Sequence, residues 1–215
     1  MLKKYLGLLF LFVPISVYGV DNCLRFKYDV DVQVENPDNN DVKIEKSVVN
    51  LSGELGYTSA KKSYSYNMLF IPVRVEDGYC VSLRSINLKI HQNFDIVLDK
   101  RLKDDSCAYN LVLNHEKDHM NVYTKVLDDN INKIKDALKK SVKNLYPVFV
   151  DDVEKIENIK SDFIQKIEEN KFVKKIKEQI NDETTKENDK IDTRGDDFEL
   201  WRCKNYMREM EDFYK

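Results

Sequence analysis

The hydrophobic pattern changes its period near Asp104-Asp105-Ser106, and that change decides which folds are open to the chain. Upstream, apolar residues alternate. Leu24, Phe26, Tyr28, Val30, Val32 and Val34 fall on one face of an extended segment, with polar or charged residues between them, which predicts a half-buried strand over 24–35 of an antiparallel sheet. Asn36 to Asn40 reads as a turn, Val42 to Leu51 as a second strand, and Gly53 to Ser63 as a polar loop. Tyr64, Tyr66, Met68 and Phe70 alternate again, and the chain stays apolar to Val75. Asp77-Gly78 is a hairpin signal. Tyr79 to Ile90 then reads as strand, and Phe94 to Leu98 as a further short one.

Downstream the period is helical. Asp104-Asp105-Ser106 is a helix start, residues 107–143 read as one long helix or a helix with a break, and Pro147 closes it. From Asp151 to Ile180 the chain is rich in Lys and Glu, with Ile156, Ile159, Phe163, Ile167, Val173, Ile176 and Ile180 near helical spacing. The spacing drifts from a heptad, which favours packing on the long helix over a coiled coil. Asn181 to Asp192 is apolar only at Ile191 and reads as a flexible linker, after which Trp201 to Tyr214 regains aromatics and is expected to dock back. The expected class is α+β: a small, mostly antiparallel sheet, then a long helix, then charged C-terminal helices. Residues 20–147 would form the α+β domain and 148–215 a charged helical extension with a docking tail.

Residues 1–19 read as an export signal. Lys3 and Lys4 precede an apolar run from Tyr5 to Val13, Pro14 breaks it, and Gly19 offers a cleavage point. The run is shorter than the roughly 20 residues that span a bilayer, so no stable membrane span is expected after cleavage. This predicts a periplasmic or secreted bacterial protein. Cys23, Cys80, Cys107 and Cys203 all follow the signal, and no CxxC is present, so disulfides are expected rather than metal ligation. Four cysteines allow three pairings. The sequence does not choose between them; one hypothesis links Cys80 with Cys107, tying the sheet to the start of the helix, and Cys23 with Cys203. A net charge of −3 argues against a nucleic-acid partner, which needs a concentrated basic surface.

The chemistry concentrates at His115-Glu116-Lys117-Asp118-His119. Residues four apart share a helix face, so His115 and His119 can present two imidazoles to one ion. Glu116 is rotated about a quarter turn away and can reach a metal-bound water without being a ligand. That is the requirement of zinc hydrolysis: neutral nitrogen ligands, an adjacent carboxylate base and an open position. Ala108, Leu111, Val122 and Val126 bracket the histidines, which places both on the buried face. Tyr123, one turn past His119, could meet an oxyanion, with core packing the favoured role. Asp118 is read as an exposed helix carboxylate.

Ser106-Cys107-Ala108-Tyr109 followed by His115 to His119 resembles the zincin-type metallopeptidases. It resembles in particular secreted bacterial proteins with a Ser-Cys-x-Tyr and His-Glu-x-x-His helix; Tyr79-Cys80-Val81 looks like their strand cysteine. The resemblance covers residues 79–130. It implies a Zn2+ cofactor held by His115 and His119, with Glu116 as general base. It also implies that Phe94 to Leu98 lies along the cleft, where a peptide or protein substrate could add as a strand. No histidine follows His119, so the third ligand is open; His91, Glu154 and Glu157 are candidates by position. The expected function is an exported zinc-dependent hydrolase, a metallopeptidase for preference. The alternative is a non-catalytic envelope protein with a structural or vestigial metal site and a helical interaction surface.

Overall fold

A computed structural model describes residues 23–34, 38–46, 55–100, 102, 105–143, 145, 147–193 and 202–203, with backbone alone for 38–46. The signal at 1–19 and most of the docking tail lie outside the described residues. Among the described residues five strands form one mixed sheet: β1 (Asp31–Val34), β2 (Asp38–Lys46), β3 (Gly56–Val75), β4 (Gly78–Leu98) and β5 (Val148–Val150). Four helices follow the hairpin among these residues: α1 (Ser106–Asp129), α2 (Ile131–Val142), α3 (Ile156–Glu168) and α4 (Lys171–Asp192). The α+β class read from the period change is the class observed.

β4 organises the sheet. It is one strand of 21 residues, where the alternation suggested two pieces. The even-numbered residues from Ile86 to Leu98 are all buried, while Asn87, Lys89, His91, Asn93, Asp95 and Val97 are half-buried or exposed. One face therefore carries the helices, as period-2 burial requires. Along one side β4 pairs antiparallel with β3 over its whole length. Along the other it pairs in succession with β5 at Tyr79 to Val81, β1 at Ser85 to Leu88, and β2 at His91 to Leu98.

This arrangement corrects the readings of the first half. β1 and β2 run parallel to β4, not antiparallel, and are nearly collinear: Val34 faces Leu88 and Asp38 faces His91. The alternation at 24–30 does not become strand. β5 occupies the stretch of β4 that those residues would need, so Leu24–Phe26 forms a short 3-10 turn instead, with the Phe26 carbonyl accepting from Ser82 Oγ at 2.6 Å. The polar stretch 56–63 is strand, because each residue has a partner on β4 from Leu98 to His91. Phe94 to Leu98 is flanked on both sides, by Gly56 to Ala60 and by Val42 to Lys46, so it has no edge to offer a substrate. The edge belongs to β3, which among the described residues pairs with β4 alone. Pro72 in β3 fits that edge, since it lacks a ladder N–H.

The cysteines pair as Cys23–Cys80 and Cys107–Cys203, correcting the hypothesised linkage. The reason is the continuity of β4. Cys80 lies 18 residues before Leu98, a contour of about 60 Å at ~3.3 Å per residue, so it cannot meet the first turn of α1.

The helices follow their signals. Asp105 caps α1 by accepting from Cys107 N and Ala108 N. The break after Asp129 falls at Asn130, whose buried amide donates to Val126 O at 2.8 Å and to Glu183 Oε2 at 3.0 Å and accepts from Lys133 Nζ at 2.7 Å. The main core joins Ile86, Leu88 and Ile90 of β4 to Leu127, Leu138, Phe163, Ile167, Ile176 and Ile180, so the charged C-terminal helices share the core of the sheet. A smaller cluster gathers Ile96, Leu98, Ala108, Val112 and Cys203 under the start of α1. The stretch 181–192 is not a linker. It is the last half of α4, which runs antiparallel along α1, with Glu183 beside Asn130 and Asn188 beside His119. Among the described residues no helix is long and apolar enough to cross a membrane.

The residues after the β3–β4 turn also show why a glycine is needed. A Cβ on Gly78 would lie 2.3 Å from the Val150 carbonyl oxygen, so its absence lets β5 approach β4. We expect Gly78→Ala to destabilise the fold by about 1–3 kcal/mol by displacing β5. Urea unfolding of the oxidised protein measures this; an unchanged midpoint would mean that the strand shifts freely.

Candidate metal centre

The first turns of α1 are pinned by the Asp105 cap and by Cys107–Cys203, so the histidines two and three turns on have a defined direction. His115 and His119 stack edge to face with ring centroids 4.7 Å apart. Their Nε2 atoms are 3.0 Å from one another. Asp192, the last residue of α4, places Oδ1 3.0 Å from His119 Nε2 and 3.5 Å from His115 Nε2. Three donor atoms thus converge, and together they form a group that could hold a metal ion.

The separations carry the chemistry. A tetrahedral ion bound at about 2.0–2.1 Å has ligand atoms about 3.3 Å apart. The three observed distances bracket that value. Two unprotonated imidazole nitrogens facing each other at 3.0 Å repel unless a proton or cation lies between them. Asp192 adds a second requirement for positive charge. It sits at the C-terminal end of α4, where the helix dipole disfavours a carboxylate.

Asn188 sets the tautomer. Its Oδ1 lies 3.0 Å from His119 Nδ1, and an amide oxygen can only accept, so Nδ1 carries the proton. Nε2 is then the lone-pair nitrogen, and it is the one that points at His115 and Asp192. Asn188 and Asp192 are four apart on one face of α4, as His115 and His119 are on α1. Two i,i+4 pairs on antiparallel helices build the centre.

Glu116 takes a separate position. It is 3% exposed, and its Oε2 accepts from Thr58 Oγ1 at 2.8 Å; the same hydroxyl contacts the Glu116 carbonyl at 2.9 Å. Burial raises its pKa, against lowering by the Thr58 hydrogen bond and the two histidines, with a further raising influence from Asp192. Glu116 directly follows His115 on α1, and its carboxylate is not among the three converging donors. A Cβ on Gly56 would lie 2.7 Å from Glu116 Oε1 and 2.8 Å from Val112 Cγ1, so only glycine lets β3 lie this close to α1.

The expected third ligands are not brought here. His91 is on β4 between buried Ile90 and Gln92 and points to the face away from α1. Glu154 lies in a 3-10 turn before α3, and Glu157 is an exposed residue at the start of α3, near Lys160. Tyr123 packs against Phe94 with centroids 6.2 Å apart, the core role favoured for it. The cysteines stand outside the centre as disulfides. Asp192 and Asn188 were missed because their stretch lacks apolar residues. The available signal was the absence of any glycine or proline from Val148 to Arg194, which lets a helix already begun continue.

Comparison with protein-family models, with curated proteins and with solved structures gives no match to this chain. The centre therefore stands on its own geometry. We expect Asp192→Ala to abolish stoichiometric metal binding, and Asn188→Ala to weaken it by about 10–100-fold. His91→Ala, Glu154→Ala and Glu157→Ala should leave it unchanged. Calorimetric titration of the metal-stripped protein with Zn2+ checks all five; unaltered affinity in Asp192→Ala would remove it from the site.

Proposed function

We propose that the chain is an exported zinc-dependent hydrolase, with peptides as the substrate class and Glu116 as the general base. The observation that carries the reading is the convergence of His115 Nε2, His119 Nε2 and Asp192 Oδ1 within 3.5 Å, with a buried carboxylate on the next residue of the same helix. Two neutral nitrogens and one carboxylate are a donor set that suits zinc. Bound there, zinc would supply Lewis-acid polarisation of the scissile carbonyl and acidify the attacking water.

The chain's own residues supply the rest. His119 is held by Asn188 with Nε2 facing the site, and Asp192 brings one negative charge. Glu116, held by Thr58, accepts the proton of the attacking water and returns it to the leaving amine. Burial favours that exchange by raising the carboxylate's affinity for a proton. Peptides are favoured over other amides because the strand touching Glu116 is the edge strand β3. An extended chain can hydrogen-bond to its free side and pass beside the centre. Two disulfides agree with export to an oxidising compartment.

Glu116→Gln separates catalysis from structure. The amide keeps an oxygen for the Thr58 hydroxyl but cannot take a proton. We expect peptide hydrolysis to fall by a factor of about 10²–10⁴ with zinc content and unfolding midpoint preserved. Turnover equal to that of the unsubstituted protein would leave the metal with a structural role only.

A further inference from the structure

Beyond Thr58 the helix-facing side of β3 continues with Ala60, Lys62, Tyr64 and Tyr66. Three of these four are polar-headed side chains, and their charges are not equally matched. Tyr66 donates its hydroxyl to Glu168, and Lys177 pairs with the same carboxylate while its Nζ lies 4.5 Å from the centre of the Tyr64 ring. Lys62 has no such partner. Its Nζ lies 5.8 Å from the Tyr123 ring centroid, and among the described residues no carboxylate pairs with it. Burial lowers its pKa with no opposing charge to restore it. A half-buried ammonium against an aromatic face, without a counter-ion, is an incomplete ion pair.

Its place in the cleft says what would complete it. Tyr123 follows His119 by one turn of α1, so Lys62 sits beside the same helix as the metal ligands. Thr58 and Lys62 are four residues apart on β3, about 13 Å at ~3.3 Å per residue, and four is even, so both face the helices. A peptide strand paired on the free side of β3 would set one side chain opposite Thr58 and another opposite Lys62, on that same face. Directly opposed side chains in a ladder have Cβ atoms about 5 Å apart, within reach of an ion pair.

We propose that Lys62 is a specificity residue: it receives an acidic side chain of the substrate, so the cleft selects extended peptides carrying Glu or Asp about four residues from the one opposite Thr58. This rests on the peptidase reading above. It adds that the incoming peptide completes a charge left unpaired among the described residues. Lys177 cannot do the same, because Glu168 already neutralises it.

The test walks a single Glu, Gln or Lys through every position of an otherwise neutral fluorescent peptide. Binding is read by anisotropy on zinc-loaded Glu116→Gln, and cleavage on the unsubstituted protein. One position should prefer Glu over Gln by about tenfold in Kd, the size of a charge-assisted hydrogen bond. The same preference should appear in KM rather than kcat. Lys62→Met, placed in both backgrounds, should erase the preference, Lys62→Arg should keep it, and Lys62→Glu should move it to the Lys peptide. Zinc content and the unfolding midpoint identify any variant that has lost its fold. No peptide binding, no position with a Glu preference, or a preference that survives in Lys62→Met would each overturn the proposal. A Glu preference in binding with no cleavage of any peptide would remove the hydrolase reading and leave the Lys62 site standing. Cleavage indifferent to charge would do the reverse.

Discussion

Among the described residues every hydrogen-bonded strand pair in the sheet includes β4. Its 21 residues present backbone donors and acceptors on two sides, and four chain segments share them. β3 takes one side completely through the hairpin. β5, β1 and β2 divide the other. Because burying an unpaired N–H or C=O is costly, the order of these segments along β4 leaves little choice to the rest of the chain. It excludes residues 24–30 from the ladder. It also carries Cys80 far from α1 and makes β3 the edge strand. The buried face of β4 then receives the helices.

On that frame the centre is made by two helices that meet antiparallel. The apolar stripe of α4 packs into the core as far as Ile180, and the helix then continues with Thr184 and Ile191 as its remaining buried residues. Its last turns are held to α1 by polar contacts, Glu183 with Asn130, Asn188 with His119 and Asp192 with both histidines. The Cys107–Cys203 disulfide closes a loop around all three converging residues and ties the segment after α4 to the start of α1. An ion held by His115, His119 and Asp192 would add to the contacts that dock the end of α4 on α1.

The parts of this arrangement that local pattern could convey were legible. The period change separated sheet from helices, Asp77-Gly78 marked the hairpin, and the Asp105 cap started α1 where expected. His115 and His119 converge as their spacing required, since one helical turn relates them whatever surrounds the helix. Strand partners were not legible. The segment 56–63 is polar because it lies at an edge, and its strand character comes from β4 opposite it. Alternation at 24–30 has the form of a strand, yet no partner is free. The last half of α4 has little amphipathic signal, because it lies along α1 through polar contacts and buries only Thr184 and Ile191.

His91, Glu154 and Glu157 were reasonable by position and are excluded by direction and distance along the fold. Asp192 lies 73 residues after His119, and nothing in the intervening chain states that α4 will return antiparallel to α1. The amino-acid sequence alone determined the fold class, the two-histidine face and the neighbouring carboxylate, because each follows from backbone periodicity within a single element. Tertiary structure alone decided the third donor, the tautomer of His119, the partner of Glu116 and the disulfide linkage. Those depend on which elements are adjacent in space, and adjacency is settled by competition for β4 and for the core beneath it.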